Sequence, residues 1–129
     1  MNDLINSRKK ILVTGGCGFI GGALIRNLLL KTSNHIFNLD KMGYASDTTQ
    51  IDRIFLEAPS LKDRYTFYKV DLENHKLLSE CIVKIDPDII FNLAAESHVD
   101  RSILDPRIFL TSNIVGTFNL LESARKHWE

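Results

Sequence analysis

The sequence lacks a long apolar run, since no stretch approaches the roughly 18 residues needed to cross a bilayer. Residues 1–10 are polar and have no apolar core of the kind that a secretory signal carries, so we expect no export. Net charge is absent as well, with 16 basic against 16 acidic residues. These absences argue against a membrane or a nucleic acid as the main partner. We therefore expect a cytoplasmic protein.

Cysteine is scarce: Cys17 and Cys81 are too few for a disulfide framework and fit a reducing compartment. His35, His75 and His127 are scattered without ligand spacing, so we predict no metal site. Cys17 has two interpretations. A helix N-terminus lowers the pKa of a thiol and would make it reactive, but the favoured interpretation is a small residue that lines a turn.

Glycine is uncommon too, yet three of the seven glycines recur at a fixed spacing in Thr14-Gly15-Gly16-Cys17-Gly18-Phe19-Ile20-Gly21, directly after Ile11-Leu12-Val13. The pattern predicts a strand that ends in a glycine-rich turn and then opens a helix. We assign Gly15 to a tight turn, Gly18 to close approach of the backbone to a pyrophosphate, and Gly21 to packing of the helix on the strand. The N–H groups of the helix N-terminus would face the phosphates, so the motif predicts a dinucleotide site.

Strand-like runs at 9–14, 35–40, 65–70 and 88–93 alternate with segments of helical period. Four β-then-α units in succession predict right-handed crossovers and a parallel sheet with helices on both faces. We therefore predict an α/β fold, a Rossmann-type doubly wound sheet whose first four strands run in the order 3-2-1-4, within one domain over 1–129. The last helix should begin near Asp105-Pro106, and its marks are Ile114, Val115, Phe118 and Leu121.

An acidic residue at the end of the second strand is the next sign of a dinucleotide site. Asp40 lies 19 residues after Gly21, where a carboxylate would accept from both ribose hydroxyls and repel a 2′-phosphate. This arrangement favours NAD over NADP, although the cation of Lys41 could offset the repulsion. The alternative is that Asp40 only ends a strand at a turn. After the fourth strand, the polar run 94–102 should face the nicotinamide and the substrate, because the ligand crevice lies at the carboxyl ends of strands 1 and 4.

Three parts of the chain resemble a known family: 91–103, 38–41 with 44–45, and 111–117 with 120–122. They resemble the dTDP-glucose 4,6-dehydratases of the extended short-chain dehydrogenase/reductase superfamily, and the likeness covers the chain from about Lys9 onward. The block Ala-Ala-Glu-Ser-His-Val-Asp-Arg-Ser at 94–102 is the narrowest of these motifs. Related NAD-dependent sugar-nucleotide 4-epimerases and decarboxylases carry variants of it, and they stay alternatives.

The resemblance implies which residues bind NAD. Backbone N–H groups of Phe19 and Ile20 would face the pyrophosphate, residues 40–43 would line the adenosine ribose, and Asp71 with Leu72 would meet the adenine edge. The implied cofactor contacts are Gly15, Gly18, Phe19, Ile20, Gly21, Asp40, Lys41, Met42, Gly43, Asp71, Leu72, Leu93, Ala94, Ala95, Glu96, Ser97 and Ser112.

The resemblance also implies that Ser97 and His98 reach toward a nucleotide-sugar substrate. Two of these assignments have plainer alternatives. Asp71 could cap the helix that starts near Asn74, and His98 could be an ordinary loop histidine.

Superfamily enzymes place a catalytic tyrosine and lysine four residues apart on one face of a helix. Tyr65 and Lys69 have this spacing, but they lie in the alternating, aromatic-rich run 65–70 that predicts a strand, so we interpret both as structural. No catalytic residue is therefore assigned within the chain. The catalytic pair and the acid–base residues would follow Glu129, since the sequence resembles the family only up to the end of its fourth helix.

The resemblance implies a function for the whole protein. We expect the chain to be the NAD-binding part of a dTDP-glucose 4,6-dehydratase, cut off before the substrate domain and inactive alone. The family converts dTDP-glucose to dTDP-4-keto-6-deoxyglucose with loss of water, and its members are commonly homodimers. A hypothesis of another class is a non-catalytic, truncated nucleotide-binding remnant.

Overall fold

Four parallel strands form one sheet in the order β3-β2-β1-β4 in the computed structural model, which describes residues 8–43, 46–95 and 103–129. The strands are β1 (Lys10–Thr14), β2 (His35–Asp40), β3 (Tyr65–Lys69) and β4 (Ile89–Asn92). Ile11 pairs with Ile36 on one side and with Ile89 on the other, so β1 lies in the interior of the sheet. The predicted strand order and the predicted runs are confirmed, with each boundary within one residue.

Helices connect the strands. The α-helices are α1 (Phe19–Lys31), α2 (Thr49–Glu57), α3 (His75–Ile85), α4 (Pro106–Leu110) and α5 (Gly116–Trp128). A 3₁₀ helix spans Pro59–Arg64, and a π-helical turn, Thr111–Val115, joins α4 to α5. Proline stands at the first position of α4, where a missing N–H costs no helical hydrogen bond.

Two apolar cores cover the two faces of the sheet, as the alternation of strands and helices predicts. On one face, Ile11 and Val13 of β1 pack with residues of α1 and α2, including Ile25 and Ile54. On the other face, Leu12 packs with residues of α3 and α5. Burying one such side chain contributes about 1.5–3 kcal/mol. The two cores therefore fix β1 in place, and with it the turn that leaves its carboxyl end.

The apolar residues that predict α5 and the turn before it lie on the exposed side of this segment. Ile114, Phe118 and Leu121 are 60–65% exposed, whereas the buried side of α5 consists of Gly116, Asn119, Leu120, Ser123 and Ala124. The helical period is thus confirmed, but the buried face is not the apolar one. Among the described residues, no helix has the length and apolar character that crossing a membrane requires.

Candidate cofactor site

Gly15 is the point where the glycine-rich turn passes across the end of the sheet. Its φ of +71° lies in the left-handed region, and its N–H donates to the carbonyl of Leu39 at 2.9 Å. A Cβ on Gly15 would lie 2.6 Å from the backbone nitrogen of Ala94. Only glycine therefore lets the turn touch the backbone that follows β4, which agrees with the tight turn assigned to this position.

Gly21 and Gly18 have different surroundings. A Cβ on Gly21 would overlap the carbonyl oxygen of Gly15, so the close packing predicted at Gly21 is with the turn itself and not with the body of the strand. A Cβ on Gly18 would have one neighbour within 4 Å, the carbonyl oxygen of Gly15 at 3.3 Å. Gly18 therefore borders open space, as a residue that lets a ligand approach the backbone should.

The N-terminus of α1 is left open by its sequence. Gly18 is the N-cap residue, no side chain of the described residues caps it, and the first turn contains no acidic residue. The side chains of Phe19 and Ile20 are 86% and 68% exposed. Helix N-terminal N–H groups carry partial positive charge and need acceptors, so this end of α1 suits an anion.

Asp40 ends β2 beside that turn, and two backbone groups fix its carboxylate. Oδ2 accepts from the N–H of Cys17 at 2.9 Å, and Oδ1 accepts from the N–H of Met42 at 2.7 Å. Asp40 is 9% exposed. A carboxylate has about four acceptor positions, so one protein bond to each oxygen leaves capacity for two ribose hydroxyls. Asp40 does end a strand at a turn, and its geometry also fits the ribose role.

The residues after Asp40 form the next part of this edge. Met42 has a φ of +59°, an uncommon left-handed conformation for a side chain of its size, and this turn aims its N–H at Asp40. Lys41 is half-buried and Gly43 is exposed. Tyr44 and Ala45 lie outside the described residues.

A buried polar group supports the turn from below, and the sequence analysis did not identify it. Asn38 of β2 is fully buried; its Nδ2 lies 3.0 Å from Tyr65 Oη and 3.5 Å from Cys17 Sγ. Its Oδ1 has no hydrogen-bond partner among the described residues and would collide with a Cβ on Gly16. Asn38 therefore fills the space between sheet and turn. Only the pairing of strands brings it under the turn, so no local pattern reveals it.

Burial, assisted by the charge of Asp40, raises the pKa of Cys17 to about 11. The thiol is fully buried and protonated at neutral pH, so the hypothesis of a reactive cysteine is wrong and the lining role is confirmed. Burial also raises the pKa of Tyr65. Tyr65 and Lys69 begin and end β3, and four steps along the strand separate them by about 13 Å. Their interpretation as structural residues of a strand is confirmed.

Thr14 joins the end of β1 to the segment after β4. Its Oγ1 donates to Asn92 Oδ1 at 2.5 Å and accepts from the N–H groups of Leu93 at 3.2 Å and Ala94 at 3.3 Å. Thr14 is fully buried, whereas Leu93 is 36% exposed and Ala95 is exposed. The segment expected to run beside the cofactor thus begins on the β1 turn. Thr14 and Asn92 were not among the predicted site residues, because their roles depend on the register of β1 with β4.

Asp71 and Leu72 follow β3 at the same edge of the sheet. Asp71 Oδ1 accepts from the N–H of Glu73 at 3.0 Å, while the side chain of Leu72 is buried. The N-cap of α3 is Asn74, whose Oδ1 accepts from the N–H of Leu77 at 3.1 Å. The alternative that Asp71 caps this helix is therefore wrong. Asp71 instead closes a local turn and stays partly exposed.

The remaining predicted site residues follow β4 in the sequence. Glu96, Ser97 and His98 lie outside the described residues. Ser112 lies in the π-helical turn, and its side chain is outside the described part. π-helical turns are rare and occur often at functional sites. Within 8–43, 46–95 and 103–129, no group of three or more His, Cys, Asp or Glu residues is placed to hold a metal ion.

The arrangement as a whole suits binding more than bond breaking. An open helix N-terminus, a fixed carboxylate and a second carboxylate follow β1, β2 and β3 in turn, all at the carboxyl edge of a parallel sheet. These groups can hold an anion, a pair of hydroxyls and an exocyclic amine along a line.

Comparisons with known proteins agree with this geometry. Residues 12–129 match the family model described as GDP-mannose 4,6 dehydratase. A dTDP-glucose 4,6-dehydratase of Neisseria meningitidis serogroup B is 43% identical over 121 residues, which cover 94% of this chain and 33% of that protein. The chain thus spans about a third of the length of the curated relatives it matches.

Solved structures give the same result. A dTDP-glucose 4,6-dehydratase of Bacillus anthracis in complex with NAD matches with a TM-score of 0.72 and 32% identity, over 95% of this chain and 34% of that one. The UDP-Glc/GlcNAc 4-epimerase of Campylobacter jejuni matches with a TM-score of 0.79 and 27% identity, over 92% of this chain and 34% of that one. These matches confirm the Rossmann-type fold and the resemblance to dTDP-glucose 4,6-dehydratases.

Proposed function

Because the chain belongs to the GDP-mannose 4,6-dehydratase family, we propose that it is the NAD-binding domain, over 1–129, of a dTDP-glucose 4,6-dehydratase. Sequence relatives at 42–44% identity carry that activity in their names. The B. anthracis structure of the same description holds NAD. We propose the dehydratase activity for a longer protein of which this chain would be a part, because the chain covers only a third of such relatives.

One observation carries the proposal: the Asp40 carboxylate is fixed by the N–H of Cys17, a residue of the turn that opens α1. This bond fixes the distance between the Asp40 carboxylate, which would bind the ribose, and the N-terminus of α1, which would bind the diphosphate. The space in front of Gly18, which a Cβ would enter, is where the diphosphate would lie. The residues present therefore fit NAD.

The remaining contacts follow from the order of the strands. Residues 41–43 would border the ribose, Asp71 would accept from the exocyclic amine of adenine, and the N–H of Leu72 would donate to a ring nitrogen. On the β4 side, residues 93–97 and Ser112 would flank the nicotinamide half. Ser97 and His98 would also reach the nucleotide sugar. The contacts on the β4 side are supported by the N–H groups of Leu93 and Ala94, which donate to Thr14 Oγ1 at the carboxyl end of β1.

NAD, when bound, would accept a hydride from C4 of the sugar and return it at C6 after water is lost across C5 and C6. The residues of this chain would bind and orient the dinucleotide for that exchange. The proton transfers would need the tyrosine, lysine and acid–base residues of the longer protein, which we expect to act as a cytoplasmic homodimer. Free, buried Cys17 and Cys81 fit that compartment.

A sugar-nucleotide 4-epimerase or decarboxylase is the nearest alternative. The C. jejuni 4-epimerase matches with the higher TM-score of the two structures, so shape alone does not favour a dehydratase. Sequence identity is higher for the dehydratase structure, 32% against 27% for that epimerase, and the curated dehydratases match at 42–44%. Assaying the longer protein for 4-keto-6-deoxy product, against the C4 epimer, separates these activities.

A truncated, non-catalytic remnant is the alternative of another class. The reading frame beyond Glu129 decides between an enzyme and such a remnant. A frame that continues and encodes Tyr-x-x-x-Lys supports the enzyme, whereas an immediate stop codon supports the remnant.

The cofactor proposal is tested by equilibrium binding of NAD and NADP to the chain and to its Asp40→Asn variant. We expect the variant to bind NAD about tenfold or more weakly, since a hydrogen bond to a charged group contributes about 1.5–3 kcal/mol. NADP binding should suffer less, because the repulsion of its 2′-phosphate is relieved. Unchanged NAD affinity in Asp40→Asn, or no NAD binding by the unaltered chain, would overturn the proposal.

Asp47→Asn is the matched control. The N–H of Asp47 donates to the carbonyl of Cys17 at 2.7 Å, and its exposed carboxylate accepts from Thr49 in a local turn. Asparagine preserves that local bond. This variant should bind both dinucleotides as the unaltered chain does.

A further inference from the structure

Asn119 of α5 is a buried amide that reaches across to the loop after β3. It is 7% exposed, and its Nδ2 donates to the carbonyl oxygen of Leu72 at 2.8 Å and lies 3.4 Å from that of Glu73. A buried amide without hydrogen bonds is costly, so these carbonyls determine the position of the side chain. The reverse also holds for Leu72, whose carbonyl accepts from Asn119 across the loop, whereas the carbonyl of Glu73 also accepts from the N–H of His75 at 3.1 Å.

One peptide group connects Asn119 to Asp71. The carbonyl of Leu72 and the N–H of Glu73 belong to the same planar peptide unit. Its oxygen accepts from Asn119 at 2.8 Å, and its N–H donates to Asp71 Oδ1 at 3.0 Å. Donation to the carbonyl polarises the unit and strengthens the bond that its N–H makes. Asn119 therefore sets the plane of the peptide that orients the Asp71 carboxylate.

The packing of α5 against Leu72 fixes the distance between the Asn119 amide and the loop after β3. Gly116 lies three residues before Asn119, and a Cβ on it would be 3.1 Å from Leu72 Cβ. Leu72 and Leu120 are buried in the same apolar core. The helix thus rests directly on the loop, and the amide of Asn119 has little freedom to move away from it.

We propose that Asn119 is a positioning residue for adenine recognition, which acts through the peptide between residues 72 and 73 to hold Asp71 toward the exocyclic amine. This inference rests on the proposed NAD site and extends it to a residue that does not touch the cofactor. The chemical group that it serves is the 6-amino group of the purine, since a carboxylate accepts from an amine but meets a 6-oxo group with repulsion.

Comparison of NAD with nicotinamide hypoxanthine dinucleotide isolates this effect. The two dinucleotides differ along one edge of the base: adenine has a 6-amine and an unprotonated N1, whereas hypoxanthine has a 6-oxo group and an N1–H. A general loosening of the fold weakens the binding of both, whereas misplacement of Asp71 weakens only the preference for NAD. The ratio of the two dissociation constants therefore reports positioning and not stability.

The experiment measures both dissociation constants for the chain and for Asn119→Leu by ligand-observed NMR. Leucine has a similar volume and no donor. We expect the preference for NAD to fall about two- to tenfold, the range of one hydrogen bond between neutral groups. Asn119→Ala removes the same donor without adding bulk and should give the same direction of change if the leucine variant does not fold.

Ser123→Ala is the control on the same helix. Ser123 is 3% exposed and its Oγ lies 2.8 Å from Ser79 Oγ of α3, so it is equally buried but contacts a different element. Loss of the Ser123 hydroxyl should leave the preference for NAD over the hypoxanthine analogue unchanged. In an Asp71→Asn background, Asn119→Leu should lower the preference no further, because the two residues act in series.

Two contrary results have separate meanings. If the unaltered chain prefers NAD and both Asn119 variants keep that preference, the positioning role is overturned and the NAD site stands. If the unaltered chain binds neither dinucleotide, the proposed function and this inference fall together.

Discussion

Gly15 and Gly18 lie three residues apart in one turn, yet a methyl group added to each would meet different surroundings. At Gly15 it would meet backbone atoms of Leu93 and Ala94 within 2.7 Å, on a residue whose φ is +71°. At Gly18 it would meet one oxygen at 3.3 Å and otherwise open space. The first glycine serves the fold, and the second leaves room for a ligand.

This difference predicts opposite results for two alanine substitutions. Gly15→Ala should lower the free energy of unfolding by more than about 2 kcal/mol, since left-handed strain of about 1–2 kcal/mol adds to the backbone overlap. Gly18→Ala should cost less than about 1 kcal/mol, mainly through a poorer helix N-cap. Urea unfolding measures both values.

For NAD binding, in contrast to stability, we expect a large effect of Gly18→Ala. Gly18→Ala should weaken NAD binding about tenfold or more, because its Cβ would keep the diphosphate from N–H groups whose bonds to a charged ligand contribute about 1.5–3 kcal/mol each. A stable Gly18→Ala variant with full affinity for NAD would show that the ligand lies elsewhere.

At the scale of residues, the sequence predicts the positions of site residues better than it predicts their hydrogen-bond partners. The distance from Gly21 predicts Asp40 as a site residue, and the family resemblance predicts Asp71. The N–H of Cys17 as the partner of Asp40, and the Asn38 amide under the turn, follow only from the pairing of β2 with β1 and β3. Such contacts join residues 20 to 30 positions apart, and no local pattern encodes them.

The helix α3 shows how one capping residue sets the start of an element. Asn74 Oδ1 accepts from the N–H of Leu77, which is one of the first-turn groups that lack a helical partner. Both Asp71 and Asn74 are residue types that cap helices well, and the sequence suggested only Asp71 for this role. The local turn between Asp71 and Glu73 uses the aspartate and leaves the cap to the asparagine.

Asn74→Ala should therefore lower the free energy of unfolding by about 1 kcal/mol, the usual cost of a lost N-cap. Asn74→Asp keeps an acceptor at the same place and should restore most of that loss. Urea unfolding at neutral pH measures both. Wild-type stability in Asn74→Ala would mean that the helix starts elsewhere.

Two elements were beyond sequence reasoning. The 3₁₀ helix Pro59–Arg64 follows α2, and there Arg64 donates to the carbonyls of Leu29 and Asn34. The π-helical turn Thr111–Val115 sits inside a segment with an ordinary helical period. A short 3₁₀ or π turn changes the hydrogen-bond step by one residue, and apolar periodicity is too coarse to show that.

At the scale of the molecule, β1 is bonded on both edges and covered on both faces, whereas β3 pairs with β2 alone among the described strands. Phe67 of β3 is 40% exposed. Local opening should therefore be rarest in β1.

Amide hydrogen exchange should rank the strands accordingly. We expect the N–H groups of Leu12 and Val13 to exchange at the rate of global unfolding, and those of β3 to exchange at least about tenfold faster through local opening of roughly 1.4 kcal/mol lower free energy. NMR exchange at neutral pH gives residue-level rates. Equal protection in β1 and β3 would contradict a stability that is highest at the centre of the sheet.

The position of β1 in the sheet also matters while the chain is being synthesised. Ile11 finds Ile36 early, but its other partner, Ile89, leaves the ribosome 53 residues after Ile36. At roughly 5–20 residues per second, that delay is about 3 to 11 s. During translation the nascent chain therefore carries one open edge of its most apolar strand. A ribosome stalled before residue 89 would present that edge to chaperones, and resumed elongation would hide it again.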